Sequence, residues 1–90
     1  MDAVEHPHPT HVTVTFPLAP EPYHHDYARN TTAQVVLADA LAAFGVPGGG
    51  TDRYYLVHDG QEVQPTQTVG ELAGHAEALH LGLRTETTSG

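Results

Sequence analysis

The sequence predicts an α+β domain in which a single long helix covers one face of a mixed sheet of four to five strands. Three observations carry this expectation. HVTVTFPL near the start and ALHLGLR near the end alternate apolar and polar residues, the period of half-buried strands. Between them, AQVVLADALAAF spaces its apolar residues by three and four, the period of an amphipathic helix. RYYLVHDGQEV holds an Asp-Gly pair between two strand-like runs, the signature of a tight hairpin. One helix followed by strands that must return to the same sheet is the α+β pattern.

Each element has a local reason. Residues 1–10, MDAVEHPHPT, are polar and carry two prolines, so they read as a disordered leader. Val12, Val14 and Phe16 then share one face of a strand, with Thr13 and Thr15 on the other. Pro17, Pro20 and Pro22 end it, and a second strand is expected around Tyr23–Ala28, with Tyr23 and Tyr27 on one face. Thr31 and Thr32 suit the cap of the following helix, whose stripe is Val36, Leu37, Ala40, Leu41 and Phe44. Gly45 supplies a left-handed stop and Pro47 forbids continuation. After the glycine-rich GVPGGGTD comes the hairpin turning at Asp59-Gly60, then VGELAG as a short helix or 3₁₀ turn carrying Val69 and Leu72 inward. The last strand sets Leu79, Leu81 and Leu83 against His80, Gly82 and Arg84. The helix stripe is expected to pack on Val12, Val14, Leu56, Leu81 and Leu83. A β-grasp arrangement satisfies this order economically, as one domain over 11–84 with a flexible tail at 85–90.

Composition excludes several functions. Ninety residues carry 11 acids against three arginines and no lysine, a formal net charge of −8. Such a chain repels phosphate backbones and anionic membranes, so neither nucleic acid nor membrane is an expected partner. There is no cysteine, hence no thiolate zinc site and no cysteine nucleophile. With no apolar run of membrane-spanning length and no basic-apolar signal region at the N-terminus, the expected location is the cytoplasm. His6, His8 and His11 in HPHPTH, with His24 and His25 downstream, suggest a metal. However, a proline-rich leader holds little fixed geometry, and adjacent histidines on a strand face opposite ways. Neither a metal nor another cofactor is expected. The triple glycine at 48–50 follows a helix and precedes no Lys-Ser/Thr, so it is no phosphate loop, and no nucleophile elbow is present. No enzyme is expected.

From Thr31 to Arg84 the chain resembles ubiquitin: a threonine-capped helix, a GVP exit, YYLVHDGQEV, TVGEL and LHLGLR in the same order and spacing. The last stretch is similar to the matching ubiquitin strand except at Gly82, where ubiquitin carries valine. The chain also resembles the short bacterial ubiquitin-like modifiers encoded beside activating-enzyme and conjugating-enzyme homologues. The resemblance implies a protein modifier whose terminal carboxylate is adenylated by an activating enzyme, passed to an enzyme nucleophile and delivered to an amine or hydroxyl of a target protein. A processing protease is a further implied partner. By this resemblance Gly90 supplies the carboxylate, and Thr85, Glu86, Thr87, Thr88 and Ser89 form the threading tail. The partner-binding surface comprises Val57, where ubiquitin has isoleucine, with His58, His80, Gly82 and Arg84. Two other uses fit the residues. One is an unconjugated interaction domain docking through His58, His80 and Arg84. The other is a sulfur carrier, though such carriers typically end in two glycines and this tail ends TTSG. Lacking lysine, a modifier of this sequence joins to itself only through the Met1 amine or a hydroxyl.

Overall fold

The computed structural model describes residues 9–46 and 52–87. Seven elements follow in chain order: β1 (Thr10–Thr15), β2 (Tyr23–Tyr27), α1 (Ala33–Phe44), β3 (Asp52–His58), β4 (Gln61–Glu62), α2 (Val69–Ala73) and β5 (Ala78–Thr87). The five strands make one mixed sheet in the order β2-β1-β5-β3-β4. β1 runs parallel to β5, with Val12 opposite Leu79 and Val14 opposite Leu81, and every other pair is antiparallel.

The alternation read in the sequence decides which face is buried. Val12, Val14, Leu56, Leu79, Leu81 and Leu83 are at most 3% exposed and turn to the same side of the sheet. There they meet Val36 and Ala40 of α1, with Leu37, Leu41 and Phe44 half-buried beside them. Tyr27, Ala33, Val63 and Val69 complete this cluster, and Phe16, Phe44 and Tyr54 close one end with tilted and edge-on ring contacts. Burying each leucine contributes about 2–3 kcal/mol, so β5 alone supplies a large part of the driving force.

The ends of the helices are satisfied differently from the sequence expectation. Thr32 occupies the N-cap of α1 in extended conformation, but its side chain makes no capping hydrogen bond. The first amides instead donate to carbonyls of the β4–α2 connection: Ala33 to Gln67 at 2.7 Å and Gln34 to Pro65 at 3.1 Å. α2 is treated reciprocally, with Val69 and Gly70 donating to the carbonyls of Thr31 and Arg29, both at 2.8 Å. The two helix starts thus cap one another through their preceding loops, a long-range exchange that no local pattern announces. Gly70 suits this close approach, because a Cβ would lie 3.0 Å from the Arg29 carbonyl and 3.1 Å from the Arg29 Cβ, so the Arg29 segment would have to give way. α2 also carries its own capping box between Thr68 and Glu71.

The stop of α1 and the hairpin turn follow the sequence reading. Gly45 is left-handed (φ 72°) and donates to Ala42 while Val46 donates to Leu41. Asp59 and Gly60 both have positive φ, at 54° and 81°, as a primed turn between β3 and β4 requires.

Two boundaries move. Thr10, assigned to the leader, is 1% exposed and opens β1 opposite Tyr27, so the first strand begins one residue earlier. Thr85, Glu86 and Thr87, assigned to the tail, belong to β5 and pair with Tyr54, Arg53 and Asp52. The cause is the length of β3, whose first three residues offer ladder positions that burial alone does not reveal. Thr88, Ser89 and Gly90 lie outside the described residues, as do residues 1–8 of the expected leader.

Candidate functional site

The side of the sheet turned away from α1 is a polar face spanning the strands. Its members follow from the register, because residues directly opposite one another share a face. β5 contributes His80, Gly82, Arg84 and Glu86. β3 contributes Arg53, Tyr55 and Val57, and β1 contributes His11, Thr13 and Thr15. His24 and Asp26 of β2 and Glu62 of β4 extend it to both edges.

Four of the five residues expected to form a partner surface meet here. Val57 lies directly opposite Gly82, Tyr55 opposite Arg84, and Thr13 opposite His80. His80 and Arg84 are exposed, whereas Val57 and Gly82 are half-buried. Gly82 leaves a shallow gap: a Cβ there would meet only Arg84 Nε, at 3.8 Å, so neither space nor backbone demands glycine. His58 is the exception. It shares the parity of Leu56, so it turns to the helix side, where it is half-buried over a hollow with Gln61, Gln67 and Leu72. Its assignment to the outer face is corrected by strand alternation, since Val57 and His58 cannot both point outward.

Charge organises one flank of the face. Arg53 pairs with Glu62 and, at 3.2 Å, with Glu86, while its guanidinium lies 4.8 Å from the centroid of the Tyr55 ring. The neighbouring Glu62 carboxylate, above all, raises the Arg53 pKa and keeps it charged. Glu86, expected in a loose tail, is therefore held against β3 by its ladder position and by an exposed ion pair.

At the opposite flank His11 Nδ1 donates to Asp26 at 2.8 Å. Thr13 Oγ1 lies 3.1 Å from His24 Nδ1, and the His11 and His24 rings stack at 5.5 Å. Sequence reasoning set His11 at the start of the first strand, HVTVTFPL, but did not foresee this cluster. The signal available was the parity of His11 with Thr13, but the pairing with β2 was invisible. His25 takes the inner side between Tyr23 and Tyr27, as adjacent strand residues must. Among the described residues no three His, Asp or Glu side chains are grouped to hold a metal ion. His6 and His8 lie outside the described residues.

Two further residues escaped the sequence reading. Leu18, in the β1–β2 turn, is 81% exposed and stands beside Phe16, Pro17, Arg84 and Thr85, where β5 leaves the core. The LAP of its turn was the available sign. Arg29 reaches from the end of β2 to the carbonyls of Gly70 (3.2 Å) and Gly74, fastening α2 rather than facing a partner.

On the helix side Tyr27 donates to Asp39 of α1 at 2.8 Å and lies 2.7 Å from the Tyr23 hydroxyl. Its single proton goes to the carboxylate, so Tyr23 donates to Tyr27. Burial first, and these hydrogen bonds second, push the Tyr27 hydroxyl well above the ordinary tyrosine range. This network ties β2 to α1.

Solved structures of similar shape bear on the fold. A Caldiarchaeum subterraneum ubiquitin superposes with a TM-score of 0.71 at 23% identity, over 91% of this chain and 99% of that one. This chain has the ubiquitin-like β-grasp fold. The C-terminal ubiquitin-like domain of human 2'-5'-oligoadenylate synthetase-like protein matches at TM-score 0.69 and 18% identity, covering 98% of this chain and 95% of that one. A structure from work on molecular mimicry of SUMO that promotes DNA repair matches at 0.70 and 11%, over 89% and 95%. No protein-family model and no curated protein matches the sequence. The ubiquitin-like domain is thus defined by its fold. No helix among the described residues is long and apolar enough to cross a membrane.

Proposed function

We propose that this ubiquitin-like domain is a bacterial protein modifier of the cytoplasm, activated at the Gly90 carboxylate. The carboxylate attacks the α-phosphorus of ATP, giving an acyl adenylate and releasing pyrophosphate. A cysteine thiolate of the activating or conjugating enzyme displaces AMP to form a thioester. An amine or hydroxyl of the target then displaces the thiolate. The domain supplies no catalytic side chain; it presents its own terminus to another protein's site.

One observation carries this reading. β5 continues four residues past Leu83, its last core residue, and everything beyond that leucine is polar up to the closing glycine. Arg84, Thr85 and Glu86 are exposed and contribute nothing to the core. A glycine at its end suits a narrow channel, because it has no side chain to obstruct approach and accepts any backbone geometry an attack requires.

The test is intact mass spectrometry of the chain with ATP and a cognate activating enzyme. Joining to an enzyme or target with loss of water identifies acyl transfer. Replacement of one oxygen by sulfur identifies a sulfur carrier instead. An unchanged mass removes both readings.

A second reading, an unconjugated interaction domain, is favoured by the uncovered outer face with Val57, His80, Gly82 and Arg84. It is distinguished by deletion of Gly90, which leaves partner binding intact in that case and abolishes transfer in the first.

A further inference from the structure

We propose that the open edge of β3, with the groove between it and α1, binds an extended basic-apolar peptide segment as an additional strand of the sheet. The site is centred on the edge of the sheet and not on His80 and Arg84 of the outer face.

The backbone argument comes first. β4 is only two residues long and pairs with β3 at Val57 and His58 alone. Beyond that hairpin, the Leu56 carbonyl accepts from Val63 at 2.8 Å, so the polar groups of Leu56 point away from β5. Alternation then points the N–H and C=O of Tyr54 the same way. Among the described residues neither has a backbone partner on that side. A sheet edge in this state is a template for one more strand.

The side chains supply a reason for that strand to be apolar on one face. Ala33 and Leu37 of α1 stand opposite Tyr54 and Leu56, with Val63 and Pro65 closing one end, around a cavity of about 130 Å³. A strand laid along the Tyr54 edge would direct alternate residues into this cavity and the others toward the outer face, the arrangement by which strand addition gains both affinity and selectivity.

Charge sets the remaining property of the partner. Around this edge stand three carboxylates (Asp52 on the helix side, Glu62 and Glu86 on the outer side) against two guanidinium groups (Arg53 and Arg84), a local balance of 2 − 3 = −1. Arg53 is already engaged by Glu62 and Glu86. On a chain of net charge −8, this rim complements lysine or arginine flanking the inserted residues.

The experiment is a titration of the ¹⁵N-labelled full chain with a synthetic peptide of alternating valine and threonine flanked by lysines. Saturable shifts are expected at Asp52–Leu56 and Ala33–Leu37, with exchange of the Tyr54 amide slowed about tenfold or more. Leu37→Asp is expected to abolish binding. Because Leu37 is half-buried, Gln34→Arg on the exposed rim is the second variant: it keeps the fold and weakens binding several-fold. A peptide with glutamates in place of the lysines should bind more weakly still. Shifts confined to His80 and Arg84, no saturable shift, or Tyr54 protection appearing without peptide as the chain dimerises would each overturn the proposal. Deleting Gly90 should leave peptide binding unchanged, so failure of acyl transfer and failure of this site are separately visible.

Discussion

The two ends of β5 make an instructive contrast. From Ala78 to Gly82 the strand is bracketed by β1 on one side, and from Gly82 onward it is paired with β3 on the other. Its inner residues up to Leu83 are almost wholly buried. Beyond Arg84 the same strand pairs only with the start of β3, and its side chains at Thr85 and Glu86 are exposed. Backbone order therefore outlasts burial by several residues. The lesson is that a strand can be extended by hydrogen bonding and one exposed ion pair while contributing no core, which leaves its outer end free for other uses.

Breaking the buried half should have the largest effect on stability. Leu81→Ala removes a side chain that is 1% exposed at the centre of the sheet, and a loss of about 3 kcal/mol is expected by chemical denaturation. Tyr27→Phe probes the tie between β2 and α1 and should cost about 1 kcal/mol by loss of hydrogen bonds to Asp39 and Tyr23. The same residue gives a pH dependence. Its folded pKa is raised, so the stabilisation is fully present below pH 10.0, the ordinary tyrosine value, and is lost as pH rises above it. A denaturation series through alkaline pH should show this decline in the parent and a flatter curve in Tyr27→Phe. Thr68→Ala, which opens the capping box of α2, is expected to cost up to about 1 kcal/mol. Glu86→Gln has the smallest global effect: the denaturation midpoint stays where it was. Amide exchange at Thr85 and Thr87 should nevertheless quicken, because that end of β5 has little else to hold it.

Most of the fold was legible because it is written in short-range periodicity. The parity of Val12, Val14, Leu79, Leu81 and Leu83, the stripe of α1, the Gly45 stop and the Asp59-Gly60 turn each follow from local steric rules. What was not legible depends on residues far apart in the chain. The mutual capping of the helix starts joins Ala33 to Gln67 and Gly70 to Arg29, and the extension of β5 joins Thr87 to Asp52. The candidate site was legible to the same extent. His80, Gly82 and Arg84 were assigned to one face by parity within a strand. His58 was misplaced because it was taken together with its neighbour Val57, and the His11–His24 cluster needed the register of β1 on β2.

The division of β5 into a core half and an outer half makes one demand that the terminus must meet. Deleting Gly90 should leave the denaturation midpoint unchanged while abolishing adenylate and thioester formation with a cognate activating enzyme, both read on the same sample by chemical denaturation and intact mass. Normal acyl transfer by the shortened chain would contradict the account.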